Sequence, residues 1–140
     1  MKLLVINGPN INMLGTREVD IYGNNTYHDL KKYISEIAHK HKIKIKVYQS
    51  NHEGRIIDKI QKAKKYDGLI INPGAYTHYS HAIADAIRAV NIKAVEVHLS
   101  DINSREDFRK HSVITDACLT TFMGKGFASY YLGIKYIIEV

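Results

Sequence analysis

Residues 69–98 read LIINPGAYTHYSHAIADAIRAVNIKAVEVH, and this stretch decides the fold. Leu69–Asn72 is a short apolar run halted by Pro73-Gly74, as expected of a fully buried strand. A polar stretch follows, in which Thr77 or Ser80 can cap a helix. Ala82, Ile83, Ala86, Ile87 and Val90 then recur at helical spacing, and Lys93–His98 reads as another strand. Strand, helix and strand in so short a span make one βαβ unit, with parallel strands and a right-handed crossover.

The same alternation extends in both directions. Upstream, Leu3–Asn7 is an apolar run ended by Gly8-Pro9. Thr26 is a good N-cap for a helix carrying Leu30, Tyr33, Ile34, Ile37, Ala38 and His41. Ile43, Ile45 and Val47 alternate with Lys44, Lys46 and Tyr48, marking a strand with one more exposed face. Ile56, Ile57, Ile60 and Ala63 return to helical spacing until Asp67-Gly68 breaks it. Downstream, Ser104 to Arg109 reads as a short helix beginning at a serine cap, Cys118–Met123 as a fifth strand, and Gly126 to about Ile138 as a closing helix. Five strands in this rhythm imply an α/β, flavodoxin-like three-layer sandwich over residues 1–140, a single domain. Its five-stranded parallel sheet takes the order 2-1-3-4-5.

Ligands of such sheets bind beyond the carboxyl ends of the strands, where the strand order reverses. The unusual polar residues collect at those ends. The first strand runs into Asn7-Gly-Pro-Asn10, the third into Asn72-Pro-Gly74, and the fourth into Glu96-Val-His-Leu-Ser100. The stretch from Gly8 to Asn25 is far longer than the ~2–6 residues usual for a βα loop, so it is expected to be a functional lid, with Gly15 and Gly23 as hinges.

Composition narrows the partners. The chain has 140 residues, 45% apolar, with a net charge of +6 and one cysteine. That is ordinary globular composition with no internal disulfide, which agrees with a reducing, cytoplasmic setting. No run approaches the ~18 apolar residues of a membrane span, and the N-terminal apolar run is too short for a secretory signal. The positive charge comes without an RNP-type aromatic motif or a basic recognition helix, so it reads as lysine-rich surface and not as a nucleic-acid site.

The lid holds Arg17 and Tyr22. Tyrosine, with an ordinary pKa of about 10, is a poor base at neutral pH, but a nearby guanidinium favours tyrosinate. Tyr22 packing at the loop base, with Arg17 as a surface charge, is the other reading of the same residues. Strand alternation puts Glu96 and His98 on one face. A carboxylate beside an imidazole fixes its tautomer and favours the imidazolium that a general acid needs, although a core histidine paired with a structural glutamate fits the same pattern. His78 and His81 lie three apart without a cysteine or carboxylate at ligand spacing, so no metal is expected. Arg105 and Arg109 could share a face and reach a carboxylate. The loop at Asn7-Gly-Pro-Asn lacks both nucleotide fingerprints, GxGxxG and GxxxxGK[ST].

Six ordered blocks then resemble the type II 3-dehydroquinate dehydratase family over essentially the whole chain. They are Asn7-Gly-Pro-Asn-Ile-Asn-Met-Leu-Gly-Thr-Arg-Glu, Ile21-Tyr-Gly, Gln49-Ser-Asn-His-Glu-Gly, Asn72-Pro-Gly-Ala-Tyr-Thr-His, Glu96-Val-His-Leu-Ser and Arg105-Glu-Asp-Phe-Arg-Lys-His-Ser. The resemblance implies a cofactor-free trans elimination of water from 3-dehydroquinate through an enolate, in the shikimate pathway. It implies that Tyr22 is the base, Arg17 lowers its pKa, and Asn10 holds the water that stabilises the enolate. His98, oriented by Glu96, is the acid. Asn72, Gly74, His78, Leu99, Ser100 and Arg109 would bind the substrate. Asp85 would reach a neighbouring subunit's site in a dodecamer, a tetramer of trimers. Two departures stand out: Asp101-Ile-Asn103 follows Ser100 where the family commonly has Asn-x-His, and the helix after Tyr79 carries His81 and Ala84. A non-catalytic binder of an anionic metabolite and a nucleic-acid binder are the competing readings. Neither explains why Arg17 accompanies Tyr22 and Glu96 accompanies His98.

Overall fold

Apolar runs buried on both faces need a layer of helix on each side, and the chain supplies both. The computed structural model describes residues 1–16, 19–22 and 24–140, with the side chains of Val19 and Tyr22 outside that description. Strands β1 (Lys2–Asn7), β2 (Lys44–Gln49), β3 (Gly68–Asn72), β4 (Ala94–Val97) and β5 (Thr120–Phe122) form one sheet in the order β2-β1-β3-β4-β5. All four pairings are parallel, as the sequence predicts.

The helices are α1 (Val19–Tyr22), α2 (Tyr27–His41), α3 (Glu53–Gln61), α4 (His81–Val90) and α5 (Ala128–Glu139). Leu30, Ile34 and Ile37 of α2 and Tyr130, Ile134 and Ile137 of α5 pack with Leu3, Val5, Ile70, Val95 and Val97 on one face of the sheet. Ile56 and Ile60 of α3 and Ile83 and Ile87 of α4 pack with Leu4, Ile6, Leu69 and Ile71 on the other. The central strands β1, β3 and β4 are almost wholly buried, and only the edge strand β2 shows the lysine alternation of a half-exposed face. The result is the flavodoxin-like three-layer sandwich.

Local chemistry sets the ends of these elements. Thr26 caps α2 through a full capping box: its side chain accepts from Asp29 N, and Asp29 accepts from Thr26 N. Of the two candidates for α4, Ser80 is the cap, its hydroxyl accepting from Ile83 N. Thr77 lies buried in the preceding 3₁₀ turn (Gly74–His78). The expected helix from Ser104 is replaced by two 3₁₀ turns, Ile102–Ser104 and Asp107–Arg109. The cap there is Asp101, which accepts from Asn103 N, while the Ser104 hydroxyl turns back to donate to Asp101 O. The long loop after β1 carries a 3₁₀ turn at Ile11–Met13 as well as α1.

Candidate active site

At the carboxyl ends of β1 and β3 the two departing loops lie against each other. Asn7 and Asn72 are paired in register and both are buried. Buried amides need partners. Tyr130 on α5 donates its hydroxyl to Asn7 Oδ1 at 2.6 Å and accepts from Asn72 Nδ2 at 2.9 Å. Asn72 Oδ1 accepts from Gly74 N at 3.2 Å. The glycines explain the close approach. A Cβ on Gly8 would lie 2.3 Å from Pro73 O, and Gly74 has a left-handed φ of +62°. Any larger residue at position 8 would push the loops apart. From β2, Gln49 Nε2 donates to Gly8 O and Asn12 Oδ1, and Asn51 Oδ1 accepts from Asn10 N. Asn10 itself is left-handed (φ 69°), which asparagine tolerates better than most residues.

Next to this seam, β4 and the residue just after it bring Glu96 and His98 together. His98 Nε2 lies 2.5 Å from Glu96 Oε2, and both residues are buried. Three hydroxyls also donate to the carboxylate: Ser112 to Oε2 at 2.9 Å, Thr115 to Oε1 at 2.7 Å and Thr121 to Oε1 at 3.2 Å. Burial alone would push the Glu96 pKa up. The hydrogen bond and charge of His98, followed by the hydroxyls of Thr115 and Ser112, outweigh it and hold the group below the usual carboxylate range. Glu96 is therefore an anion, and Nε2 of His98 carries a hydrogen.

The outer wall is basic and half-buried. His78 Nδ1 sits 2.8 Å from the carbonyl of His111, and burial lowers its pKa. Arg109 stacks over Phe108, 4.8 Å from the ring centroid, with Nε 2.8 Å from Glu106 Oε2. Arg105 Nη1 donates to Ser100 Oγ at 3.2 Å. One cavity is shared by Asn10, Asn72, Gly74, His78, His98, Leu99, Ser100, Arg105 and Arg109. It is suited to an anion with hydroxyl groups, because cationic donors, amides and an imidazole converge on it.

Most of the sequence-named residues thus meet in that cavity, with Glu96 directly behind His98. Asp85 does not: it is exposed on α4 and pairs with Arg88 at 3.4 Å. Arg17, the Tyr22 side chain and the expected hinge Gly23 lie outside the described residues. Sequence reading missed Ser112, Thr115, Thr121 and Tyr130. Tyr130 falls at core spacing in a helix, and lone hydroxyls carry no motif. Ser112 closed a quoted block, Arg105-Glu-Asp-Phe-Arg-Lys-His-Ser, without a role of its own. Of the two departures, Asp101-Ile-Asn103 forms the capped turn beside the cavity, whereas His81 is exposed and Ala84 is buried in the core.

Comparison with known proteins agrees with this geometry. The family model Dehydroquinase class II matches residues 1–138. The chain is 54% identical over 141 residues to a 3-dehydroquinate dehydratase of Caldicellulosiruptor saccharolyticus, covering 99% of this chain and 97% of that protein. It is 56% identical over 137 residues to the 3-dehydroquinate dehydratase of Clostridium beijerinckii, covering 96% and 94%. The crystal structure of the type II dehydroquinase of Butyrivibrio crossotus superposes with a TM-score of 0.97 at 51% identity, over 99% of this chain and 97% of that one. This chain belongs to the class II dehydroquinase family.

Proposed function

We propose that this cavity converts 3-dehydroquinate to 3-dehydroshikimate, the hydro-lyase step of its relatives, by the following division of labour. Tyr22, ionised beside Arg17, takes the proton from the carbon next to the ketone. The electron pair moves onto the carbonyl oxygen as an enolate, stabilised through a water held by Asn10. The enolate then collapses, the bond to the β-hydroxyl breaks, and His98 protonates the departing oxygen so that water leaves. Asn72, Gly74, His78, Leu99 and Ser100 hold the ring hydroxyls, and Arg109 holds the carboxylate. No cofactor is required, because a proton next to a ketone is already acidified and the leaving group is β to the same carbonyl.

The observation that carries this reading is the Glu96–His98 pair at 2.5 Å opening onto a cavity with Arg109, His78 and the two strand-end loops. A binder of an anionic metabolite would need the cations and amides. It would have no use for a histidine held on a buried anion. Further parts of the proposal are one catalytic domain over residues 1–140, a cytoplasmic enzyme of aromatic amino acid biosynthesis, and a dodecamer built as a tetramer of trimers. The outward position of Asp85 supports service to a neighbour's site. Among the described residues no helix is long and apolar enough to cross a membrane.

The test is ultraviolet absorbance after mixing the purified protein with 3-dehydroquinate, in EDTA and again after borohydride treatment with substrate present. The conjugated enone is expected to form in every case. Its absence throughout would favour the metabolite binder. Loss with EDTA alone would mean a metal, and loss with borohydride alone an imine.

A further inference from the structure

Hydroxyl chemistry fixes the direction of every bond around Glu96. A hydroxyl has one proton and two lone pairs. Ser112 Oγ accepts from Ile114 N at 3.1 Å and Thr115 N at 3.3 Å, so its proton goes to Glu96 Oε2. Thr115 and Thr121 face Oε1, which as part of an anion can only accept. With His98 Nε2–H on Oε2, each oxygen receives two donors. The four lone-pair positions of the carboxylate are filled.

We infer that Ser112, Thr115 and Thr121 are positioning residues for proton transfer, saturating Glu96 so that it stays an anion through turnover and His98 works only through Nδ1. The inference rests on the reading of His98 as the acid. A proton on Glu96 would have to displace one of the four donors. Nε2–H is therefore retained in both states of the ring, and Nδ1 is the atom that loses and regains the catalytic proton. In the elimination the Nδ1–H bond breaks, its proton joins the departing hydroxyl, the C–O electron pair leaves with the oxygen, and the imidazole is left neutral.

The three hydroxyls arrive by two routes. Thr121 pairs with Glu96 in the parallel register of β5 on β4, which puts both side chains on one face. Ser112 and Thr115 lie on the segment after Arg109. That segment is tied down where Val113 N donates to Thr77 O at 2.9 Å and where His111 O meets His78 Nδ1. One stretch of chain thus carries Arg109 to the cavity and locks the carboxylate behind the acid. Besides His98, the titratable groups among the described residues that feel Glu96 are Cys118, whose thiol burial and the Glu96 charge push up to about 12, and His78, with Arg109 beside it. All three are common to the variants below, so their contributions cancel in comparison.

The experiment is kcat and KM against pH for the wild type, T115V, T121V, T115S and H98Q. T115V and T121V are each expected to lower kcat about tenfold with KM within about threefold, and to move the acidic limb of the kcat profile up by about one pH unit. T115S restores both, because serine supplies the same donor. A hydroxyl needed only for folding would scale kcat without moving the limb, and that result overturns the inference. So does wild-type kcat with an unmoved limb in both valine variants while H98Q is inactive. If one valine variant fails to fold, the other is read by the same criteria. Wild-type kcat in H98Q would overturn the underlying reading of His98, and this inference with it.

Discussion

Glu96 shows how a single buried charge becomes useful. Its folded pKa is depressed, so the stability it contributes is present above the ordinary carboxylate pKa of about 4.5 and is lost as pH falls through the folded value. E96Q is expected to cost about 3 kcal/mol at pH 7, the scale of breaking a buried pair, and to flatten the acid limb of stability against pH. Urea unfolding at pH 7 and at pH 4 reads both effects; an equal pH dependence in E96Q and wild type would contradict it. For the proposed base, Y22F is expected to abolish turnover while substrate affinity, measured by calorimetry, stays within about one order of magnitude. This is because the phenolate oxygen acts on the transition state and the ring remains. Large residual turnover would remove Tyr22 from the role of base. The Glu96–His98 pair is legible in the amino-acid sequence, since side chains two apart on a strand share a face. Its hydroxyl donors are not, because residues 112 and 115 reach Glu96 through the path of the intervening chain and residue 121 through the register of β5 on β4.

At the scale of elements, the two strand-end loops act as a unit because neither can move without the other. Gly8 lets β1's loop touch the backbone at Pro73, and Gly74 takes a conformation other residues avoid. G8A is expected to destabilise the protein by about 2 kcal/mol and to reduce kcat/KM at least tenfold, since the added methyl cannot relax against backbone atoms. Thermal unfolding with steady-state kinetics checks both, and near-wild-type values would show that the loops separate cheaply. Helix and strand positions followed from apolar periodicity, and the Thr26 cap from residue type. The Ser104 region did not. There Asp101 caps the first 3₁₀ turn, and the Ser104 hydroxyl donates back to Asp101 O instead of capping the residues that follow.

For the whole molecule the open contribution is Asp85. It is exposed on α4, paired only loosely with Arg88, so D85A is expected to change monomer stability by less than about 0.5 kcal/mol. If Asp85 completes a neighbour's site, D85A nonetheless lowers kcat/KM about tenfold in an assembly whose sedimentation is unchanged. Unchanged kinetics would return Asp85 to the solvated surface. The amino-acid sequence by itself determined the alternation of strand and helix, the parallel sheet and the gathering of polar residues at strand ends, since these depend on spacing of 2 and 3.6 residues along a local segment. Only the tertiary structure decided which side chains share the cavity, which hydroxyls fill Glu96 and which face Asp85 takes. Those outcomes depend on strand register and loop path between residues far apart in the chain, and local periodicity does not encode them.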